Sequence, residues 1–295
     1  MKTIIKAYEI EENLTWTYIG DGHMNKAWVG ALGNKKLYFL KKYRTKDLNI
    51  ILEEHYLLSK LDSTLEITVP IPIVTKVGST VAIEDGSYYS LFHYMEGRKL
   101  SSPNRKEVVH LAETLAEIHL SLSKIENKGI KEETLKVDKK IMFQVNAFNV
   151  VDFRACERMV SDLEKAYHHS KHILIHGDYS FDNVFFNPVK CDIEVVYDWE
   201  ESQYAYPLYD ALTSYHFIGL KAPGLARVFI DTYFECLIDT ELNMILESKE
   251  DFLKFLLSFH YYELAKMIAC DEDLDYIEQV YLWMMDVYDK IRDKT

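Results

Sequence analysis

A two-lobed α+β fold is the architecture this sequence predicts: an N-terminal antiparallel sheet with one helix, then a larger, mainly helical lobe. Three observations predict it. Strand-like runs broken by turn signals fill the first third of the chain, helical spacing dominates from Glu107 onward, and 295 residues reach the size, roughly 250–300, at which single cores stop growing. The pattern changes near residue 95, so the expected lobes are 1–95 and 96–295.

The elements follow in order. Tyr18 to Asn25 reads as a strand and glycine-containing turn, and the apolar runs Lys26 to Ala31 and Leu37 to Lys42 flank Gly33-Asn34 as a β-hairpin. Over 47–61 the spacing becomes helical, with Leu48, Ile51, Leu52, Leu58 and Leu61 on one side and Glu53 and Glu54 near the middle. Residues 68–74, 80–83 and 88–94, separated by Gly78 and the Asp85-Gly86 turn signal, are expected as further strands of the same sheet. Met95-Glu-Gly-Arg98 ends the strand pattern; Val108, Leu111, Leu115, Ile118 and Leu122 then open the helical lobe. That lobe is interrupted only by short apolar runs between Ile173 and Tyr197, and helical spacing returns over 207–292.

Composition narrows the functional classes. A 48% hydrophobic chain with 27% charged residues, 11 Gly and 6 Pro is globular. Forty-seven acidic against 34 basic residues leave a net charge of −13, which opposes a grip on a phosphate backbone and argues against nucleic acid as partner. Cys156, Cys191, Cys236 and Cys270 are far apart, lack C-x-x-C spacing and read as reduced, mostly buried thiols. The N-terminus has no apolar h-region and no apolar run approaches the ~20 residues that span a bilayer, so a soluble cytoplasmic protein without a membrane partner is expected.

The chemistry concentrates in His176-Gly177-Asp178-Tyr-Ser-Phe-Asp182-Asn183, followed by a strand and Asp198-Trp199-Glu200. Phosphoryl transfer from Mg-ATP needs a carboxylate near the acceptor hydroxyl and separate oxygen ligands for the metal. Asp178 with Asn183 five residues on has the spacing of a kinase catalytic loop, and Asp198, ending the next strand, matches the metal-binding position of D-F-G. An Asx-type turn with a capping carboxylate is the competing explanation, and upstream residues decide between them. A kinase needs a strand lysine for the donor phosphates and a helix glutamate to orient it. Lys41 and Glu54 answer that need, with Lys42 and Glu53 as rivals. Lys41 is preferred because Leu40 then points into the core, and Glu54 because it shares a face with Leu57, Leu58 and Leu61. Gly20-Asp-Gly22-His-Met-Asn25 joins two strands and can bring backbone N–H groups beside phosphates; it is neither a G-x-G-x-x-G nor a Walker loop.

These patches, with Met95-Glu-Gly97, Leu115-Ala-Glu-Ile-His119 and Pro207…Asp210, run in an order that resembles the aminoglycoside phosphotransferase and choline kinase-like family over roughly residues 15 to 215. The resemblance implies a protein kinase-like fold. It implies that Asp178 is the catalytic base, that Asn183 and Asp198 ligate Mg²⁺, and that Lys41 contacts the α and β phosphates of ATP or GTP while pairing with Glu54. Gly22 and Asn25 would lie at the phosphates, the His93 carbonyl and Met95 N–H would meet the base, His176 would shape the catalytic loop and Asp210 would brace it. His119 is expected to pack structurally, and His168, His169 and His172 to lie in a solvated loop. Trp199-Glu200 replaces the Phe-Gly of protein kinases and no A-P-E segment is recognisable, so a small-molecule hydroxyl acceptor is favoured over a peptide.

Acids at Asp152, Glu157, Asp231, Glu235, Glu263 and Asp271-Glu-Asp-Leu-Asp275 could hold a cationic acceptor such as an aminoglycoside or choline, or could simply form a solvated face. Asp182-Asn183-Val184-Phe-Phe186 resembles the same segment of homoserine kinases, which keeps a metabolite acceptor open, and a nucleotide-binding scaffold without turnover is the alternative of a different class.

Overall fold

The computed structural model describes residues 2–10, 13–21, 25–126, 171–242, 256–260, 264 and 274–294. The chain divides into two compact units: Met1–Arg98 with Phe185–Pro188 and Glu194–Glu200, and Lys99–Val184 with Val189–Ile193 and Glu201–Thr295.

The first unit is built on a five-stranded antiparallel sheet of order β1-β2-β3-β5-β4, with β1 Thr15–Asp21, β2 Asn25–Leu32, β3 Lys35–Tyr43, β4 Ala82–Glu84 and β5 Ser87–His93. Alternation along β3 gives the sheet two faces. Leu40 is fully buried and clusters with Leu91, Ala82, Ile4 and Tyr8, the last two supplied by the N-terminal segment that contains α1 (Lys2–Ala7). Tyr43, two positions along from Lys41, packs instead with Ile51 of α2 (Leu48–Asp62) and Val81. Lys41 therefore shares the face on which α2 lies.

Local chemistry explains the boundaries. Asp47 caps α2, its side chain accepting the Asn49 N–H at 2.9 Å. The β4–β5 connection places Asp85 and Gly86 at φ 50° and 66°, the two left-handed residues that an Asp-Gly hairpin turn requires. One expectation needs correction, and one element was not foreseen. Residues 68–74 make no strand, only isolated bridges from Thr68 to Val195 and Pro72 to Phe92, because Pro70 and Pro72 have no N–H to give a ladder. The six-residue α1 gave no periodic signal. It is held by tertiary contacts, with Tyr8 donating to the carbonyls of Thr80 at 3.1 Å and Tyr89 at 2.9 Å.

The second unit contains α3 (Arg105–Leu122), α4 (Leu208–Lys221), α5 (Pro223–Leu237) and α6 (Leu274–Lys294), with α5 packed on both α3 and α4. A reciprocal capping box opens α3: Asn104 accepts from the Glu107 N–H at 3.1 Å while Glu107 accepts from the Asn104 N–H at 2.8 Å. Beyond the cap, Val108, Leu111, Leu115, Ile118 and Leu122 form its buried stripe. The short strand β6 (Ile173–Ile175) pairs antiparallel with β9 (Gln203–Ala205). A separate two-stranded ribbon, β7 (Val184–Phe186) with β8 (Ile193–Val196), belongs mostly to the first unit. Among the described residues no helix is long and apolar enough to cross a membrane. Cys191 and Cys236 are free thiols, but half-buried and exposed respectively rather than buried as expected; Cys156 and Cys270 lie outside the described residues.

Candidate active site

In the first unit the candidate residues gather around one ammonium. Lys41 Nζ lies 3.2 Å from Glu54 Oε1 and 2.8 Å from Glu200 Oε2, and the same Glu200 oxygen accepts from Asn25 Nδ2 at 2.8 Å. Asn25 Oδ1 in turn accepts the Arg44 N–H at 3.0 Å, which settles which way the amide points. Lys41 and Glu54 have only 13% of their side chains exposed. Burial alone would pull the lysine down, but Glu54, Tyr43 and Glu200 hold it above its ordinary value and keep it charged. Burial pushes Glu54 up against the pull of Lys41, with the charges of Glu200 and Asp198 adding to the rise.

Asp198 lies two residues beyond β8 with φ 66°, a left-handed conformation uncommon for a residue that is not glycine. The short 3-10 turn Trp199–Glu201 follows. Trp199 is buried, and its indole N–H donates to the Val196 carbonyl at 2.9 Å, anchoring the turn that presents Glu200. His93 ends β5 opposite Tyr38, whose ring it stacks on at 5.9 Å, and Met95 follows half-buried. Gly22 lies outside the described residues, between the ends of β1 and β2.

In the second unit the loop after β6 is locked from several sides. Gly177 has φ 86°, and a Cβ there would meet the Glu201 carbonyl oxygen at 2.1 Å, so only glycine fits. The fully buried Asp210 carboxylate accepts the N–H groups of His176 and Gly177, both at 2.8 Å, and also meets His119 Nε2 at 3.1 Å. The other His119 nitrogen pairs with Tyr233 Oη at 2.7 Å, so His119 belongs to the scaffold behind the loop. His176 is buried and accepts the Asp178 N–H on Nδ1 at 3.2 Å, which puts the proton of a neutral ring on Nε2. Asn183 Nδ2 donates to both the carbonyl and Oδ2 of Asp178, at 2.9 and 2.8 Å. The Asn183 amide thus fixes the Asp178 carboxylate and keeps its own oxygen for another partner.

In the first unit, two residues had no assigned role in the sequence. Glu200 stood out only as a glutamate where protein kinases carry glycine. His55, beside Glu54 on α2, bridges Tyr43 Oη at 2.9 Å and Thr80 Oγ1 at 2.6 Å, and burial with the nearby Lys41 lowers it to about 4. Of the acids considered for an acceptor, Asp231 is paired with Arg227 at 2.7 Å, Glu235 and Asp275 are exposed, and Asp152, Glu157, Glu263 and Asp271 lie outside the described residues, as do His168 and His169.

A strand lysine paired to a helix glutamate in one unit, and a braced Asp-x-x-x-x-Asn loop in the other, define the class: the architecture is protein kinase-like. The chain belongs to the phosphotransferase enzyme family APH, which matches residues 15–241. Its fold superposes on the GDP and kanamycin complex of APH(2")-IIia with a TM-score of 0.71 at 15% identity, covering 97% of both chains. Amicoumacin kinase hAmiN in complex with AMP-PNP, Ca²⁺ and Ami gives 0.68 at 15% identity over 98% of this chain and 92% of that one. A microcompartment-associated aminopropanol kinase gives 0.66 at 14% identity over 98% and 95%. In sequence, Acyl-CoA dehydrogenase family member 11 of Mus musculus is 27% identical over 158 residues, 42% of this chain and 18% of that protein. The Homo sapiens protein is 24% identical over 174 residues, 54% of this chain and 22% of that one, so the chain spans less than a quarter of these curated relatives.

Proposed function

We propose that the protein is a small-molecule kinase that transfers the γ-phosphoryl group of Mg-ATP or Mg-GTP to a hydroxyl of an amine-bearing acceptor. The observation that carries this reading is the Asp178–Asn183 pair, hydrogen-bonded at 2.8 Å on a loop braced by Asp210, in a chain of the phosphotransferase family. In this reading the acceptor O–H gives its proton to the Asp178 carboxylate, the new O–P bond forms at the γ phosphorus, and the bond from γ phosphorus to the β–γ bridging oxygen breaks, releasing the nucleoside diphosphate.

Lys41, oriented by Glu54, meets the α and β phosphates, with Gly22 and Asn25 at the phosphates and the backbones of His93 and Met95 at the base. His176 shapes the loop. The Asn183 oxygen and the Asp198 carboxylate are hard ligands suited to Mg²⁺, which takes few protein groups and completes its shell with phosphate and water oxygens. When bound, that ion neutralises charge on the phosphates. Residues 1–95 then serve the nucleotide and 96–295 supply the catalytic loop and acceptor helices. A cationic acceptor is supported by the net charge of −13 and by the aminoglycoside and aminopropanol named for structural neighbours.

Mg²⁺-dependent ADP or GDP release by the purified chain tests this against aminoglycosides, aminopropanol, choline, homoserine, thiamine, macrolides and methylthioribose. Turnover with an amine-bearing alcohol that falls by about 10²–10⁴ in Asp178→Asn is the expected result. Nucleotide binding without turnover for every acceptor would favour a scaffold instead.

A further inference from the structure

Lys41 and Asn25 are donors that the proposed function reserves for nucleotide phosphates, and in the structure both already hold an anion. Glu200 Oε2 sits 2.8 Å from Lys41 Nζ and 2.8 Å from Asn25 Nδ2, closer to the lysine than Glu54 is at 3.2 Å. A carboxylate oxygen gripped by an ammonium and an amide N–H is bound as a phosphate oxygen would be. We propose that Glu200 is a phosphate-mimicking latch, a positioning residue that closes the nucleotide half-site in the free protein and must release Lys41 before the donor binds. This inference rests on the nucleotide-binding role given to Lys41 above.

The surroundings suit a latch better than a permanent brace. Its backbone is fixed, because Trp199 is buried and bonded to Val196, so release needs only rotation about the Glu200 side chain. That side chain is 21% exposed, against 13% for Glu54, which gives it a path toward water. With Glu200 gone from Lys41, Glu54 still orients the ammonium, the arrangement a kinase uses on its donor. Charge favours the exchange only when a metal accompanies the nucleotide. Lys41 is met by two carboxylates, Glu54 and Glu200, and the charge of Asp198 also acts on Glu54. A bare polyphosphate adds repulsion that a bound cation removes.

The test is a titration of a fluorescent N-methylanthraniloyl ADP with the wild type, Glu200→Gln and Glu200→Asp, each with and without Mg²⁺, with circular dichroism melts checking that the variants fold. A latch closed about nine-tenths of the time weakens apparent affinity about tenfold, so Glu200→Gln should bind about tenfold tighter. Glu200→Asp keeps the charge but is one methylene too short to span the contact, so it should also tighten, by at least about threefold. If Glu200→Asp binds like the wild type, the effect is bulk charge and the latch is wrong. Weaker binding by Glu200→Gln with Mg²⁺ would also overturn it, placing Glu200 in the bound state instead. A wild type that binds no nucleotide under either condition would reject the kinase reading itself, an outcome separate from wild-type binding with no tightening in the variants.

Discussion

Lys41 and Asp210 are both buried charges, and the protein neutralises them in opposite ways. Lys41 is met by the carboxylates of Glu54 and Glu200, side chains and not backbone groups. Asp210 is met by the backbone N–H groups of His176 and Gly177, which cannot leave without unfolding the loop, and by His119, itself tied to Tyr233. The first arrangement can exchange an anion for a ligand; the second can only hold a shape. A phosphotransferase needs both, since the donor must enter and leave while the base stays where the acceptor proton will be.

The contrast is broken most directly at Asp210. Asp210→Ala leaves two buried N–H groups and a histidine without their acceptor and should cost about 3–5 kcal/mol in urea unfolding, with turnover lost. Glu54→Gln should cost only about 1 kcal/mol, because the amide oxygen can still accept from the Lys41 ammonium and Glu200 still pairs with it. Equal costs for the two variants would erase the distinction between a fixed and an exchangeable charge.

Acidification probes both units together. Burial holds His55 of the first unit and His216 of the second neutral, each lowered to about 4. The unfolded chain, with histidines near 6.5, takes up protons first as pH falls, so this stability is fully present above about pH 6.5 and lost toward pH 4. For His55 the full loss should be about 3.4 kcal/mol, the fall from 6.5 to about 4 at roughly 1.36 kcal/mol per pH unit. Melting temperatures that stay flat from pH 6.5 to 4.5 would contradict it.

The smallest effect lies at the edge of the loop after β6. Ser214 Oγ donates to the Tyr179 carbonyl at 2.6 Å, so Ser214→Ala should cost about 1 kcal/mol and lower kcat more than it raises the nucleotide KM. A change confined to nucleotide KM would show that the loop is not held independently of the donor half-site.

Much of the first unit was legible because strand alternation is a local property. Leu40 pointing inward puts Lys41 on the opposite face, and Asp85-Gly86 announces its own turn. Asp178 and Asn183 were legible as a spacing. The Asp210 brace entered only through resemblance, since 34 and 33 residues separate it from His176 and Gly177 and no periodicity links such positions. Glu200 was visible as a departure from the protein-kinase pattern, but its partner lies 159 residues away on β3, and nothing local in Trp199-Glu200 names Lys41. Residues 68–74 misled for a simpler reason: β-branched residues outnumber the two prolines, yet the prolines remove the hydrogen bonds a strand needs.

The most direct test of a donor half-site in one unit and a base in the other is to measure nucleotide Kd and kcat side by side in Lys41→Met and Asp178→Asn. The account predicts that Lys41→Met loses both affinity and turnover, whereas Asp178→Asn keeps nucleotide affinity within about threefold and loses turnover by about 10²–10⁴. An Asp178→Asn protein that keeps most of its turnover, or a Lys41→Met protein that binds nucleotide as the wild type does, would contradict it.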